Sequence, residues 1–249
     1  MIGNQIGIIG LGRFGRLLGE ILRPDFPVKG FDRCPMTHAA FAGAAPLHEV
    51  AACDTVFLCV PISRLEQALT EALPYLTDDT TVLDVCSVKL KAVDIMERYL
   101  PAKTRMLPTH PMFGPDAAAN GTRGLPFVLC PTDRTPPEYD YRFSEYLTTQ
   151  GFRVVRMSPD GHDRTIAYSL CMTQLIGRAL DRIGAKPSPS DTQSFRHLLE
   201  IRDIACNDTV ELFRDIQNFN PYAGEMRQRL AAALNDIERE LAEPSTKVV

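Results

Sequence analysis

The side chain best suited to proton transfer lies in a stiff stretch, residues 109–115, which contains one histidine. His110 is followed by Pro111, and Pro115 closes the stretch after Gly114. Proline fixes φ while glycine leaves the backbone free, so the loop can hold one side chain in a defined position. Imidazole titrates near neutral pH, which suits His110 to act as a general base. Taken alone, the stretch is more typical of a turn whose histidine only bonds the backbone, so the surrounding elements decide its interpretation.

A glycine-rich turn near the start of the chain predicts a dinucleotide-binding unit. An apolar run over residues 5–9 is typical of a buried parallel strand, and helical spacing of apolar residues follows over residues 16–22. The turn between them consists of Gly10, Leu11, Gly12, Arg13, Phe14 and Gly15. Glycines in this pattern allow a tight turn, close approach of a pyrophosphate and packing of the helix on the strand. Free amide groups at the helix start would bind the phosphates, although the turn could also serve packing alone.

The acidic residue after the second predicted strand favours NAD as the coenzyme. That strand covers residues 27–31 and is followed by Asp32, about twenty residues beyond the glycines, as in dinucleotide-binding units. A carboxylate at this position can accept a hydrogen bond from a ribose 2′-hydroxyl and would repel a 2′-phosphate. Arg33 could pair with such a phosphate, so NADP is also possible. Val60 and Pro61, at the end of a strand predicted over residues 54–60, are expected to bind the same coenzyme.

Alternating strand and helix patterns predict an α/β fold in which residues 1–157 form a Rossmann-like, doubly wound parallel sheet. Further strands are predicted at residues 80–85, 105–108, 125–130 and 152–157. Ligands of such sheets lie at the carboxyl ends of the strands, where Val60, Ser87 and His110 all fall. Ser87 could instead cap the helix that starts near Lys89.

The pattern after Ser158 predicts an all-helical dimerisation domain over residues 158–249. Ser158 followed by Pro159 is typical of a helix start. Long helical stretches are predicted over residues 163–183, 191–217 and 221–241. Helices this apolar in so short a segment cannot easily form a compact domain by themselves, so we expect them to pack against the first domain and against a second copy of the chain, as a homodimer.

Composition favours a globular enzyme and argues against several other classes. The chain has 249 residues, 45% of them hydrophobic, and a formal net charge of −4 without a basic block, so nucleic-acid binding is not expected. Its apolar runs are far shorter than the roughly 18 residues that a membrane span needs. The seven cysteines and five histidines are scattered, which predicts reduced thiols and no metal. Without a signal-like segment at the start, a cytoplasmic enzyme is expected.

Three motifs together give the chain a family resemblance. They are the glycine turn, the run Asp84-Val85-Cys86-Ser87-Val88-Lys89 and the run Thr109-His110-Pro111-Met112-Phe113-Gly114-Pro115, with His162-Asp163 also fitting. Over nearly its whole length the chain resembles the prephenate and arogenate dehydrogenases of tyrosine biosynthesis, the TyrA family, and most of all the plant-type arogenate enzymes. The resemblance implies NAD(P)-dependent oxidative decarboxylation of prephenate to 4-hydroxyphenylpyruvate, or of arogenate to tyrosine. In this reaction hydride leaves the ring carbon that bears the hydroxyl group, and the ring carboxylate departs as carbon dioxide.

The resemblance also implies roles for individual residues. His110 would accept the proton of the ring hydroxyl group, and Ser87 would contact the same hydroxyl group or orient the imidazole. Lys89 would hold the loop or add positive potential, unless it is a solvent-facing helix residue. Asp116 stands where the family commonly has an acid near the substrate's side chain. The expected substrate-binding residues are Ser87, Lys89, Asp116, Gln174 and Arg178.

Two departures from the family pattern concern the substrate. Gln174 stands where many bacterial members carry a histidine. The arginine that binds a substrate carboxylate in many members is absent before Asp208-Thr209. Arg202 lies one residue from the matching position, which is a rotation of about 100° on a helix, so it cannot simply make the same contact. The cationic candidates are then Arg178, Arg196, Arg202 and Arg214. Plant-type enzymes lack the same arginine, which favours arogenate, whereas the acidic Asp32 leaves prephenate equally open.

Two other classes stay open. A β-hydroxyacid dehydrogenase or imine reductase would share the sheet and the helical domain, but these enzymes typically carry a catalytic lysine on a helix of that domain. Here the one lysine of that region before the tail is Lys186, in a Pro-rich loop. A non-catalytic NAD-binding protein would explain Gln174 and the missing arginine, but not the intact stretch 109–115.

Overall fold

A seven-stranded sheet forms the centre of the first part of the chain, in the strand order β2-β1-β3-β4-β5-β6-β7. The strands are β1 (Ile6–Ile9), β2 (Val28–Phe31), β3 (Thr55–Leu58), β4 (Thr81–Asp84), β5 (Arg105–Pro111), β6 (Pro126–Leu129) and β7 (Arg153–Arg156). The computed structural model describes residues 2–119 and 121–242. The chain divides into two units, Met1–His162 and Asp163–Val249, five residues beyond the predicted boundary after residue 157.

Helices alternate with the strands of the first unit, which confirms the predicted Rossmann-like α/β fold. They are α1 (Arg13–Leu22), α2 (Pro35–Ala39), α3 (Leu47–Ala51), α4 (Ile62–Ala72), α5 (Lys89–Tyr99), α6 (Pro115–Ala118) and α7 (Pro137–Thr149). All four residues of β1, β3 and β4 are buried, as expected for strands covered on both faces. An aromatic cluster of Phe113, Phe127, Phe143 and Phe152 fills the core near β6.

Most of the sheet is parallel, as predicted, but its last two strands run in the opposite direction. Strands β1 to β5 are parallel, but β6 runs antiparallel to β5 and parallel to β7. Between β5 and β6 the described residues form one helix, the four-residue α6, and the chain turns back beside β5 instead of crossing over a face of the sheet. The pairing of Thr109 with Leu129 and of Leu129 with Arg156 then brings the end of β7 level with the end of β5.

The second unit is helical, as predicted. Its helices are α8 (Pro159–Ile166, which spans the boundary), α9 (Met172–Arg182), α10 (Gln193–Asn207), α11 (Val210–Phe219) and α12 (Ala223–Ala242), with a π-helical turn at Ala167–Cys171. Ser158 accepts a hydrogen bond from the Gly161 amide at 3.1 Å, in agreement with the predicted helix start. None of the helices in the described part of the chain has both the length and the apolar character that a membrane span requires.

One predicted helix, residues 191–217, is in fact two. Asp208 is extended at ψ 147°, and the Thr209 side chain accepts a hydrogen bond from the Leu212 amide, which starts α11. A threonine hydroxyl group can satisfy a free amide donor and so favours a new helix start over continuation. The break brings the Asp208 backbone carbonyl and carboxylate within reach of α9.

Candidate functional site

The glycine turn has the geometry that a bound pyrophosphate requires. Gly10 has φ +95°, a conformation that L side chains rarely adopt. A Cβ atom at Gly12 would meet nothing within 4 Å, so this face of the turn is open, whereas a Cβ atom at Gly15 would lie 2.0 Å from the Gly10 carbonyl oxygen. Helix α1 starts after Gly12 without a side-chain cap, which leaves its first amide groups for a ligand. These residues fit a dinucleotide.

A cavity of about 220 Å³ lies beside this turn in the first unit. The predicted coenzyme residues Gly10, Asp32, Arg33, Val60 and Pro61 all line it. Backbone groups hold the Asp32 carboxylate in place: its two oxygens accept hydrogen bonds from the amides of Leu11, at 2.7 Å, and Cys34, at 2.8 Å. The turn and the acid are thus joined into one rigid edge of the cavity.

A fully buried ion pair fixes the backbone just before His110. Asp84, the last residue of β4, and Lys89, the first of α5, both have no exposed side-chain surface and bond each other. The Asp84 carboxylate accepts from the Thr109 amide at 3.3 Å, and the Thr109 hydroxyl group donates to the Asp84 carbonyl at 2.5 Å. Lys89 also donates to the Thr109 carbonyl. We call these residues the Asp84 cluster.

The position of Lys89 corrects two expectations. It is neither a solvent-facing helix residue nor open to a substrate, because its ammonium group is buried and bonded to Asp84 and Thr109. Burying a charge is costly unless it is paired and hydrogen-bonded, and here both conditions hold. Lys89 therefore holds the end of β5, because Thr109 and His110 belong to this strand and not to a loop. Holding this stretch was one of the roles considered for Lys89.

His110 meets a second buried histidine. His110 is 4% exposed at the end of β5, and its Nδ1 lies 2.9 Å from Nε2 of His162, which has no exposed surface. Burial holds the pKa of His110 well below 6.5, and the nearby His162 and the Lys89 ammonium group lower the pKa further. The imidazole is therefore neutral at physiological pH, as a general base must be.

The contact between the two histidines was not predicted. In the sequence, His162 is only part of the His162-Asp163 pair that agrees with the family resemblance, and no role was predicted for it. The two residues are 52 positions apart, and they meet because β7 ends level with β5 and α8 starts shortly afterwards. No local pattern indicates that register.

Arg13 and Asp116, predicted for coenzyme and substrate respectively, bond each other. Their side chains form an ion pair at 2.9 Å, and both are about half exposed, at 48% and 42%. Next to them Phe14 packs on Phe113 with ring centroids 5.8 Å apart. The stretch 109–115 is thereby tied to the glycine turn.

Ser87 does not occupy the cap position of α5. Helix α5 begins at Lys89 with Val88 as its N-cap, so Ser87 lies one residue further out and is partly exposed. Asp84 pairs with Pro108 across β4 and β5, which places the segments after these strands at the same edge of the sheet. Ser87 and His110 therefore follow neighbouring strands at one edge.

Gln174 and Arg178 belong to the second unit, where both bond Asp208. Gln174 donates to the Asp208 carboxylate at 2.6 Å, and Arg178 donates to the Asp208 carbonyl at 2.8 Å with its guanidinium group over the Phe213 ring. Within the part of the chain that the structure describes, the buried atoms Gln174 Oε1 and Arg178 Nε have no hydrogen-bond partner. We call these residues the Asp208 cluster. Arg202, another cationic candidate, is engaged by Asp203 at 2.6 Å.

Comparison with known proteins places these features in a family. Residues 33–156 match the model of the prephenate dehydrogenase nucleotide-binding domain, and residues 179–249 match that of the TYRAAT1-like C-terminal domain. Arogenate dehydrogenase 2, chloroplastic, of Arabidopsis thaliana is 30% identical over 95% of this chain and 70% of its own length. Arogenate dehydrogenase 1, chloroplastic, of the same plant is also 30% identical. That match covers 95% of this chain and 39% of the relative's own length.

The fold comparison agrees with the sequence comparison. Prephenate dehydrogenase from Aquifex aeolicus, solved in complex with hydroxyphenyl propionate and NAD+, superimposes with a TM-score of 0.75 at 21% identity, over 96% of this chain and 92% of that chain. This likeness concerns the fold, whereas the Arabidopsis relative carries the family assignment. The chain belongs to the family of prephenate and arogenate dehydrogenases, the TyrA family.

Proposed function

We propose that this protein catalyses the NAD-dependent oxidative decarboxylation of prephenate or arogenate, with His110 as the general base. The observation that carries the proposal is a buried, neutral His110 imidazole at the carboxyl edge of the sheet, in a stretch tied to the glycine turn. Family membership supplies the reaction, which is an oxidoreductase step of tyrosine biosynthesis.

The histidine pair supports a defined role for each nitrogen of His110. When His110 Nδ1 carries the proton it donates to His162 Nε2, and His110 Nε2 keeps a lone pair. That lone pair accepts the proton of the ring hydroxyl group as hydride leaves the carbon. The Asp84 cluster keeps the backbone of Thr109 fixed, so the imidazole ring of His110 is held in one orientation during the reaction.

The coenzyme site is supported by features of this chain alone. The open face at Gly12, the uncapped start of α1 and the cavity beside Asp32 fit the phosphates and the adenosine part of NAD. NAD, when bound, supplies the hydride acceptor of the reaction. Asp32 is positioned to accept from a ribose hydroxyl group, which favours NAD over NADP.

The substrate-binding roles of Ser87, Asp116, Gln174 and Arg178 stay predictions. Two observations support the roles of Gln174, Arg178 and Asp116. The unpaired Gln174 Oε1 and Arg178 Nε atoms can each make one further hydrogen bond. The exposed ion pair of Asp116 with Arg13 is of a kind that contributes only about 0–1 kcal/mol, so Asp116 can release Arg13 to meet a ligand.

A paired assay tests the proposal. Reduction of NAD is followed with prephenate and with arogenate, on the wild type, His110→Ala and a matched control, His197→Ala, which changes an exposed histidine of α10. We expect turnover with at least one substrate, a loss in kcat of about 10²–10⁴ for His110→Ala, the usual range for a general base, and no loss for His197→Ala. If neither substrate supports reduction, the assignment is wrong; if His110→Ala keeps wild-type turnover, the base lies elsewhere.

The position of Lys186 disfavours one of the two other classes. Lys186 is exposed between α9 and α10, whereas a β-hydroxyacid dehydrogenase or imine reductase would require a lysine on a helix of this unit. A non-catalytic NAD-binding protein would bind coenzyme in the assay above but reduce none of it. The cytoplasmic location stays a prediction, since the two Arabidopsis relatives are chloroplastic by name.

We also propose that the second unit forms a homodimer. Residues 231–242 of α12 are all exposed, and Leu234, Ile237 and Leu241 recur on one face at helical spacing. Exposed apolar residues in such a row are typical of a helix that packs on another chain. Sedimentation at micromolar concentration tests this, and a monomer there would refute it.

A further inference from the structure

We propose that Glu71 is a coenzyme-specificity-determining residue, which holds Arg33 in an ion pair at the rim of the coenzyme cavity and thereby disfavours a 2′-phosphate. The proposal rests on the coenzyme site described above. It adds a residue on α4 that lies outside every motif of a dinucleotide-binding unit.

The geometry places four charged side chains around one cavity. Asp32, Arg33, Arg64 and Glu71 all line it. Arg33 bonds the Glu71 carboxylate, and these two side chains are 56% and 37% exposed, so the pair lies at the solvent side of the cavity. Arg64 also takes part in an interaction within the protein.

Asp32 and Arg33 differ in how firmly their side chains are held. Asp32 is fixed by two backbone amides, so it keeps its place beside the ribose whichever coenzyme binds. Arg33 is the adjustable element, since a long side chain in an exposed ion pair is held only weakly. A 2′-phosphate carries a charge of about −1.5 to −2 and is best recognised by an unpaired guanidinium group.

Glu71 therefore acts against NADP through Arg33, because it neutralises the cation that would pair with the 2′-phosphate. A ribose with a free 2′-hydroxyl group does not need that cation. Removing the charge of Glu71 should release Arg33 for the phosphate and leave NAD binding unchanged.

Coenzyme binding measured without any substrate tests this. Oxidised NAD and NADP are titrated calorimetrically into the wild type, Glu71→Gln, Arg33→Gln and the double variant. The matched control is Glu66→Gln, which removes the same charge from an exposed position of α4 that bonds Tyr99 and does not line the cavity. We expect Glu71→Gln to tighten NADP binding about five- to tenfold and to change NAD binding less than about twofold, as for one partly screened charge.

The double variant decides whether Arg33 carries the effect. With Arg33→Gln already present, we expect Glu71→Gln to gain less than about twofold for NADP, since the cation it would release is gone. An equal gain in Glu66→Gln, a full gain in the Arg33→Gln background, or an unchanged NADP affinity would each overturn the proposal. If neither coenzyme binds the wild type, the proposed function fails as well. If both coenzymes bind and Glu71→Gln leaves the ratio of the NADP to the NAD affinity unchanged, the role of Glu71 alone fails.

Discussion

The protein contains two buried polar clusters that differ in how completely their hydrogen bonds are made. In the Asp84 cluster of the first unit, both carboxylate oxygens and the ammonium group of Lys89 are bonded within the protein. In the Asp208 cluster of the second unit, Gln174 Oε1 and Arg178 Nε are buried without a partner among the described residues. An unpaired buried polar atom costs about 1–3 kcal/mol, so native proteins have few of them.

This difference in hydrogen bonding suits the two clusters to two different roles in an active site. A completed cluster resists rearrangement, which suits the segment that holds a general base. An incomplete cluster is less stable by itself and gains hydrogen bonds when a polar ligand arrives. We infer that the Asp84 cluster positions His110 in advance and that the Asp208 cluster is completed by a ligand.

The largest effect is expected from breaking the complete cluster. Lys89→Met keeps the bulk of the side chain but leaves the Asp84 carboxylate buried without its cation, which should lower the free energy of unfolding by about 3–5 kcal/mol. Lys91→Met is the matched control, because Lys91 makes only an exposed pair with Asp94 and should cost less than about 1 kcal/mol. Urea denaturation measures both. Similar losses for the two variants would contradict the idea that the cluster fixes the end of β5.

The pH dependence tests the environment that the cluster creates. Because the pKa of His110 lies well below 6.5, the base stays neutral as the pH falls through 6.5. The kcat/KM profile should therefore be flat there and fall by about tenfold per pH unit only at lower pH. The folded protein binds fewer protons than the unfolded chain between the two pKa values, so the stability that His110 contributes is full above pH 6.5 and is lost as the pH falls towards the folded pKa. An acid limb at or above pH 6.5 would contradict the burial of the imidazole.

The histidine pair gives a smaller effect with a distinct signature. His162→Asn removes the ring that bonds His110 Nδ1, a buried hydrogen bond whose loss should cost about tenfold in kcat. Since His162 lowers the pKa of His110, its removal should also move the acid limb of kcat/KM to higher pH. If His162 had only a structural role, its removal would change stability without moving the acid limb. Such a result would refute the idea that His162 acts on His110.

The contrast between the clusters also marks what the sequence can predict. The glycine turn and Asp32 were predictable because their chemistry is local, as each role depends on neighbours a few residues away. The burial of Lys89 depends on the register of β4 with β5, which brings Asp84 and Thr109 together. The contact of His110 with His162 depends on the register of β5, β6 and β7, in which β6 is antiparallel to β5. The break at Thr209 was missed because the apolar spacing continues through it, while a single side-chain cap decides the structure.

The smallest effect on stability is expected in the incomplete cluster, and it needs a matched comparison. Gln174→Met keeps the shape of the side chain, loses one hydrogen bond to Asp208 and removes the unpaired oxygen, so the free energy of unfolding should change by less than about 1 kcal/mol. Gln217→Met changes a buried amide of the same unit whose nitrogen and oxygen are both bonded, to Cys171 and Arg227, and should cost about 1–3 kcal/mol. If the two variants were equally destabilised, Gln174 Oε1 would have a partner in the folded protein and the clusters would not differ. If Gln174→Met instead leaves stability unchanged and raises KM more than it lowers kcat, the substrate donates a hydrogen bond to Gln174 Oε1.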